Sequence, residues 1–347
     1  MENDMNKIKT VDAVGRVLCH DITRIIPGEK GPAFRKGHVI REEDIEVLLS
    51  LGKEHIFIWE NKSGMMHEND AAEILCEICR GQNIERSEVK EGKIDLRSSI
   101  DGLFKVNKEI LNKINGLGEI IIAARHGNFP VKSGDHLAGV RVVPLAIEEK
   151  KMEAAREMAG QALIMNVLPF KQKKIGLIVT GNEVFQGRIA DSFTPVIKSK
   201  LTEYNADISM HVILDDKHEK ITNTCFKMIY EGVDFIICTG GMSVDPDDRT
   251  PLAIRNTGAD VVTYGVPVLP GSMFMLAYFK GTQGKIPIVG LPGCVMYSRR
   301  SIFDLVLPRI MADDVIEAGD LYRLGNGGLC LNCDSCTFPD CGFGKGN

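Results

Sequence analysis

Between Lys174 and Ile310 one pattern occurs twice, and it leaves few folds open. The apolar run KKIGLIV leads into Thr180-Gly181-Asn182-Glu183-Val184, and the run VDFIIC leads into TGGMSVDPDDRTP, residues 239–251. Each run is short, rich in Val and Ile and halted by glycine, so each reads as a buried strand. A helix start follows each loop: Asp191-Ser192 ahead of TPVIKSKLTEY, and Thr250-Pro251 with proline at the first helical position. Strand, glycine loop and helix, twice over, describe an open parallel sheet that binds ligands at the carboxyl ends of its strands. Glycine lets backbone N–H groups come close to an anion, and a helix N-terminus adds positive dipole character. Acidic residues in the same loops imply a metal-bridged phosphate, since bare carboxylates repel an anion.

A chain of 347 residues has room for two or three domains with sizeable cores. Its formal net charge of -5 and pI near 6.0 argue against nucleic acid as the main partner. No basic, apolar leader opens the sequence and no apolar run approaches membrane-spanning length, so a cytoplasmic protein without a membrane partner is expected. The ten cysteines are unevenly placed. Cys19, Cys76, Cys79, Cys225, Cys238 and Cys294 are scattered, whereas Cys330, Cys333, Cys336 and Cys341 crowd the last eighteen residues. In a reducing compartment such a cluster points to metal, not to disulfides.

Four segments are expected: an α+β unit over 1–60, a β-rich domain over 61–165, the α/β domain over 166–312 and a Cys-rich metal-binding tail over 320–347. In the first, Val11, Val14 and Leu18 repeat as in a short helix within 8–22, and Pro27, Gly28, Gly31 and Pro32 make a loop. Ile45, Leu48 and Leu49 form a helical stripe that stops at Gly52, and His55 to Trp59 alternates into a strand. Residues 70–80 carry a CxxC pair on an amphipathic helix pattern. With Ile74, Leu75 and Ile78 in the same pattern and no second ligand pair nearby, incidental thiols on a packed helix are the simpler reading. Segments of β character fill 90–150, and a helix at 150–161 leads into the α/β domain. His211, at the end of an apolar strand, reads as structural.

The two loops, in this order and spacing, resemble the molybdopterin-binding domain shared by molybdopterin molybdotransferases and molybdopterin adenylyltransferases. TGNEVFQGRIADS is similar to that family's TGDEL…G…D(S/T)N segment, TGGMSVDPDDRTP to its GGxSxG…D motif, and GLPGCVMYS (residues 290–298) to its LPGNPVSA turn. DAVGRVLCHDI (12–22) and SSIDGLFKV (98–106) resemble segments of the molybdotransferase branch, with residues 23–97 as an extra stretch. Where that branch places a further β domain, this chain has the Cys tail.

The resemblance implies an α/β fold: a three-layer, doubly wound molybdopterin-binding domain preceded by a β-rich, α+β amino-terminal region. It implies a role in molybdenum cofactor biosynthesis, with molybdate inserted into adenylylated molybdopterin, and Mg²⁺ as a cofactor. By motif position Glu183 and Asp248 hold the divalent ion, and Asp101 joins them as a catalytic residue, reaching the cleft across a homodimer interface. Thr180, Gly181, Asn182, Gly240, Gly241, Ser243, Pro292 and Gly293 bind the cofactor. Four positions depart from the pattern: Asn182 replaces an Asp, Asp245 a glycine, Ser272 a lysine, and Cys294-Val295 an Asn-Pro. Without the family, Glu183, Asp247 and Asp248 also fit helix caps and solvated loops, and Arg299-Arg300 fit either an anion-attracting pair or a solvated helix face.

The tail spaces its thiols C-x2-C-x2-C-x4-C, nearer to four-iron four-sulfur ligation than to a zinc ribbon, whose two pairs lie far apart. A cluster-bearing tail suits delivery of cofactor to a molybdoenzyme. Two other functions use the same fold: a nucleotide pyrophosphatase or deamidase resembling the competence-damage-inducible family, and a non-catalytic cofactor-binding chaperone or sensor. The losses at positions 182 and 272 agree with the second.

Overall fold

The computed structural model describes residues 7–26, 29–58, 63–243, 245, 248–282 and 284–346. Pro27, Gly28, Trp59 and Asp247, assigned above to a loop, a strand and a cap, lie outside the described residues. The chain divides into two compact units, residues 1–100, 105–125 and 132–167 in one and 101–104, 126–131 and 168–347 in the other.

The first unit opens with β1 (Lys7–Lys9), β2 (Ile22–Ile26), β3 (Glu29–Phe34), α1 (Asp44–Ser50) and β4 (His55–Phe57). β2 and β3 pair antiparallel, as do β1 and β4, with Ile8 opposite Ile56. The helix expected over 8–22 is absent. Its apolar repeat becomes a single 3-10 turn, Thr10–Asp12, and Val11 and Val14 are more than half exposed. Gly15 turns at φ +79, and Val17 and Leu18 bridge instead to Val39 and Ile58. Leu18 closes a small core with Ile22, Phe34, Ile40 and Leu48. β-branched residues and a left-handed glycine outweigh three apolar positions at helical spacing.

There follow β5 (Met65–His67), α2 (Glu68–Cys79), β6 (Ile84–Arg86), β7 (Lys93–Ser98), β8 (Gly102–Val106), α3 (Lys108–Asn115), β9 (Ile120–Ala124), β10 (Phe129–Val131), β11 (His136–Val142), β12 (Ala146–Glu148), α4 (Glu149–Ala159) and β13 (Met165–Pro169). Strands β6-β7-β11-β9 form an antiparallel sheet with α2 packed on it. α2 buries Ile74, Leu75, Cys76 and Cys79, and burial pushes the Cys79 thiol up to about 12. The CxxC pair is core filling. α3 breaks the β character expected of 90–150: the Asn107 side chain accepts from the Ile110 N–H at 3.2 Å, and Ile114 is buried beneath the helix.

The second unit contains β14 (Ile175–Thr180), α5 (Asn182–Phe185), α6 (Phe193–Thr202), β15 (Ile208–Leu214), α7 (His218–Tyr230), β16 (Phe235–Thr239), α8 (Thr250–Asn256), β17 (Asp260–Tyr264), β18 (Met275–Gly281), β19 (Gly284–Leu291), α9 (Ile302–Met311) and α10 (Ala318–Tyr322). Among the described residues its main sheet has six strands in the order β15-β14-β16-β19-β18-β17. The first four are parallel, and β18 and β17 extend the sheet antiparallel. On one face Leu177, Ile237 and Val289 pack with α6 and α9 through Ile197, Phe303 and Ile310. On the other, Ile178, Ile236 and Ile288 pack with α7 and α8 through Ile221, Met228 and Ile254. Successive residues of one strand serve opposite cores, which is why these strands are apolar throughout and the domain has three layers. β10 and the start of β8 belong to this unit too, with Phe129 opposite Phe104. No helix of the described residues is long and apolar enough to cross a membrane.

Candidate functional site

β14, β15, β16 and β19 run parallel and finish at the same end of the sheet, in Thr180, Leu214, Thr239 and Leu291. The chain leaving β14 returns through α6 to β15 on one side, while the chain leaving β16 passes through α8 to β17 on the other. Connections diverging from adjacent strands open a crevice between them, the usual ligand site of such sheets.

The two glycine loops interlock at this crevice. The Thr250 hydroxyl donates to the Gly240 carbonyl at 2.9 Å and lies 3.3 Å from the Thr180 hydroxyl, and the Thr250 N–H donates to the Gly241 carbonyl at 3.2 Å. Gly240 sits at φ +84, where a Cβ would come 2.1 Å from the Thr180 carbonyl oxygen. Only glycine permits that approach.

Carboxylates of both loops act electrostatically on Asp216, at the end of β15. The Asn182 N–H donates to Asp216 at 2.9 Å. Burial raises the Asp216 carboxyl above the usual carboxylate range, and the negative charges of Glu183, Asp248 and Asp215 raise it further against that hydrogen bond. Glu183 and Asp248 therefore act on one common carboxylate. Glu183 is exposed on α5 with its Oε2 turned toward Gly181, 3.9 Å from where a Cβ there would stand. Asp248 is half-buried and lies near Tyr264, whose phenol is pushed up by burial and then by the Asp248 charge. The Tyr264 hydroxyl donates to the Met242 carbonyl at 3.2 Å, holding the second loop. Among the described residues, no group of three or more His, Cys, Asp or Glu side chains is gathered to hold a metal ion by itself.

Asp216 and its neighbours were not singled out by the sequence. Lys220 donates to Asp215 at 2.8 Å and lowers that carboxyl, and its ammonium lies 5.5 Å from the Phe185 ring centroid. The available signal is the acidic pair Asp215-Asp216 directly after ISMHVIL, at the end of a third parallel strand. Asp215 Oδ1 and Thr239 Oγ1, both at this end of the sheet, are buried without a hydrogen-bond partner.

The other candidates are dispersed. Ser243 is exposed on the second loop. Pro292 is buried, and Gly293 opens a 3-10 turn, Gly293–Met296, in which burial pushes the Cys294 thiol up. Asp101 stands exposed at a bend before β8, off the six-stranded sheet. Ser272 offers its carbonyl to the Val266 N–H at 2.9 Å. Asp191 caps α6, accepting from the Phe193 and Thr194 N–H groups at 2.9 and 3.1 Å, and the Thr194 hydroxyl lies 3.1 Å from His211. His211 is exposed on β15, within its length and not at its end. In the tail, Cys330 and Cys341 are half-buried and Cys333 and Cys336 exposed, all as free thiols.

Residues 176–312 match the family described as "Probable molybdopterin binding domain", and residues 7–60 match a domain of unknown function, DUF8806. The molybdopterin molybdenumtransferase of Staphylococcus epidermidis is 27% identical over 196 residues, 50% of this chain and 46% of that protein. A CinA-like protein of Mycobacterium sp. is 35% identical over 90 residues, 26% of this chain and 21% of that one. The chain thus spans less than half the length of these curated relatives. Among solved structures, the tungsten cofactor synthesizing protein MoaB from Pyrococcus furiosus aligns at 17% identity and a TM-score of 0.35, over 42% of this chain and 98% of that one. The family match falls on the sheet and loops that form the crevice, and residues 176–312 belong to the molybdopterin-binding domain family.

Proposed function

We propose that this chain binds molybdopterin or the molybdenum cofactor by its anionic end in the crevice between β14 and β16, and acts in the biosynthesis of that cofactor by inserting molybdate into the adenylylated form, or in its delivery. The observation that carries this reading is the pair of interlocked glycine loops at the carboxyl ends of β14 and β16, with the charges of Glu183 and Asp248 both acting on Asp216. Backbone N–H groups at Thr180-Gly181-Asn182 and Gly240-Gly241, with the Ser243 hydroxyl, receive the phosphate. Burial and then the charges of Glu183, Asp248 and Asp215 raise the proton affinity of Asp216, and an electronegative region of this kind suits a hard cation. Mg²⁺ takes one or two carboxylates and completes its shell with substrate oxygens and water, so Glu183 and Asp248 would hold it without a closed cage. Bound there it would neutralise charge at phosphorus, and the protein's share is positioning. Pro292-Gly293 lines a third side, and Asp101 completes the site from a second subunit of a homodimer.

The test is to incubate the protein with adenylylated molybdopterin, Mg²⁺ and molybdate and follow AMP. Release that depends on molybdate supports the transferase. Tight binding without turnover supports a carrier that delivers cofactor to a molybdoenzyme, the reading favoured by Asn182 and Ser272 at positions where the family has Asp and Lys. Turnover of nicotinamide mononucleotide or ADP-ribose instead would replace both with a pyrophosphatase or deamidase, in line with the CinA-like relative.

A further inference from the structure

Beside the first glycine loop, on its β15 flank, an aromatic ring and an ammonium group stand together. Phe185 ends α5, and its N–H donates to the Gly181 carbonyl at 2.9 Å, so the ring sits one turn beyond that loop. The side chain is far from core filling: Phe185 is 48% exposed, as is, still more, Ile189 on the same connection. The Lys220 ammonium lies over the Phe185 ring, 5.5 Å from its centroid, where the ring's electron-rich face attracts it. Lys220 belongs to the first turn of α7. Asp215, which is buried, takes one of its N–H groups at 2.8 Å, and the Lys217 ammonium stands 3.9 Å from the same carboxylate. An ammonium carries three N–H donors, so half-exposed Lys220 keeps donors for a ligand. The next residue, Asp216, receives the Asn182 N–H, which joins this corner to the first loop through the end of β15.

We propose that Phe185 and Lys220 form a subsite for a flat heterocycle that carries a phosphate, the ring stacking on Phe185 and the phosphate pairing with Lys220. Resting on the crevice reading given above, this subsite extends it toward β15 and assigns side chains to the two ends of the ligand. The crevice holds the negative charges of Glu183, Asp216 and Asp248, and Ser272 stands where the family's lysine would supply a positive one. A phosphate entering there needs a cation besides Mg²⁺. Lys220 supplies it from α7, whereas position 272 lies between β17 and β18. Held by a buried carboxylate and an aromatic face, its ammonium is already ordered, which reduces the entropy lost on binding. An exposed aromatic ring stacks on any flat π-system, whatever the hydrogen-bonding pattern of that system's edge. An adenine nucleotide and a pterin phosphate share this chemistry, and both occur in adenylylated molybdopterin.

The test is titration calorimetry of the full chain, with Mg²⁺ present, against AMP, neopterin phosphate and ribose 5-phosphate, the last having a phosphate but no flat ring. Phe185→Ala should weaken AMP or neopterin phosphate about tenfold and leave ribose 5-phosphate unchanged. The ring that responds names the source, and either supports the subsite. Phe185→Leu, which keeps apolar bulk, should lose nearly as much, and Phe185→Tyr little. Lys220→Ala should weaken every probe that binds, about tenfold, and Lys220→Arg should restore it. Both side chains are half-exposed, so melting temperatures close to native are expected. A native chain that binds none of the probes would overturn the subsite. So would a Phe185→Ala chain that loses ribose 5-phosphate as strongly as the ring-bearing probes, or a Lys220→Ala chain of native affinity. Adenylylated molybdopterin bound equally by native and variant chains would keep the crevice reading and remove the subsite. Probes bound through these two side chains by a protein that neither binds nor turns over molybdopterin would do the reverse.

Discussion

The Asn182 backbone N–H donates to the Asp216 carboxylate at 2.9 Å, tying the loop after β14 to the loop after β15. That bond holds Asp216 where Glu183 and Asp248 repel it, so the crevice stores negative charge that only a cation or a proton relieves.

Asp216→Asn should therefore stabilise the metal-free protein at neutral pH. The folded-state proton affinity of Asp216 is raised, so the folded chain binds that proton more tightly than the unfolded chain does. Stability contributed by this group falls as pH rises from the ordinary carboxylate value through the raised one. Asparagine keeps an acceptor for the Asn182 N–H without the charge. Thermal melts across pH should show the variant above the native protein at neutral pH and level with it in acid; parallel curves would exclude this origin.

Asp248→Ala removes a carboxylate from the proposed Mg²⁺ site and should weaken Mg²⁺-dependent molybdopterin binding by about tenfold, roughly 1.4 kcal/mol. Titration calorimetry with Mg²⁺ and with chelator reads the difference directly. Equal affinities in native and variant protein would remove Asp248 from the site.

Gly240→Ala places a Cβ against the Thr180 carbonyl at a positive φ. The loops must part or strain, at a cost of about 2–4 kcal/mol. Urea denaturation measures it, and a loss near zero would mean that the two loops do not depend on one another.

Lys200 donates to both Asp304 oxygens at 2.7 and 2.8 Å, with side chains only 9% and 3% exposed, and Arg300 joins Asp304 at 2.9 Å. Asp304→Ala leaves Lys200 buried without its carboxylate and should cost about 3–5 kcal/mol. Pairing it with Lys200→Met should recover part of the loss; a fully additive double mutant would show that the pair is not coupled.

Thiol accessibility gives a final check. In the metal-free chain, brief iodoacetamide treatment should modify Cys333 and Cys336, which are exposed, and spare Cys76 and Cys79, which are buried. Burial holds the Cys79 thiol protonated, near 12, so it supplies almost no thiolate at neutral pH. Peptide mapping that finds Cys79 alkylated as fast as Cys336 would contradict the packing of α2.

How far the residues alone reach is seen by comparing two helices. α2 was legible because Ile74, Leu75 and the two thiols keep one face apolar over twelve residues. The stretch 8–22 showed the same spacing through Val11, Val14 and Leu18, but local strand bridges and a left-handed Gly15 took those residues elsewhere. α3, eight residues long and flanked by strands, lay below what periodicity resolves. The lysine expected in the family's loop is absent at Ser272, while Lys220, on a helix with no motif of its own, stands beside Asp215 and Phe185.

Read alone, the residues determined that β14 and β16 are strands buried on both faces and that glycines end them. Those are local demands, met within a few positions of each residue. Which carboxylates act on one another was decided only by tertiary structure. Strand order sets Asp216 beside Asn182 and Thr250 beside Thr180, and such long-range closures follow from the packing of both faces of the sheet, which no stretch of chain encodes by itself.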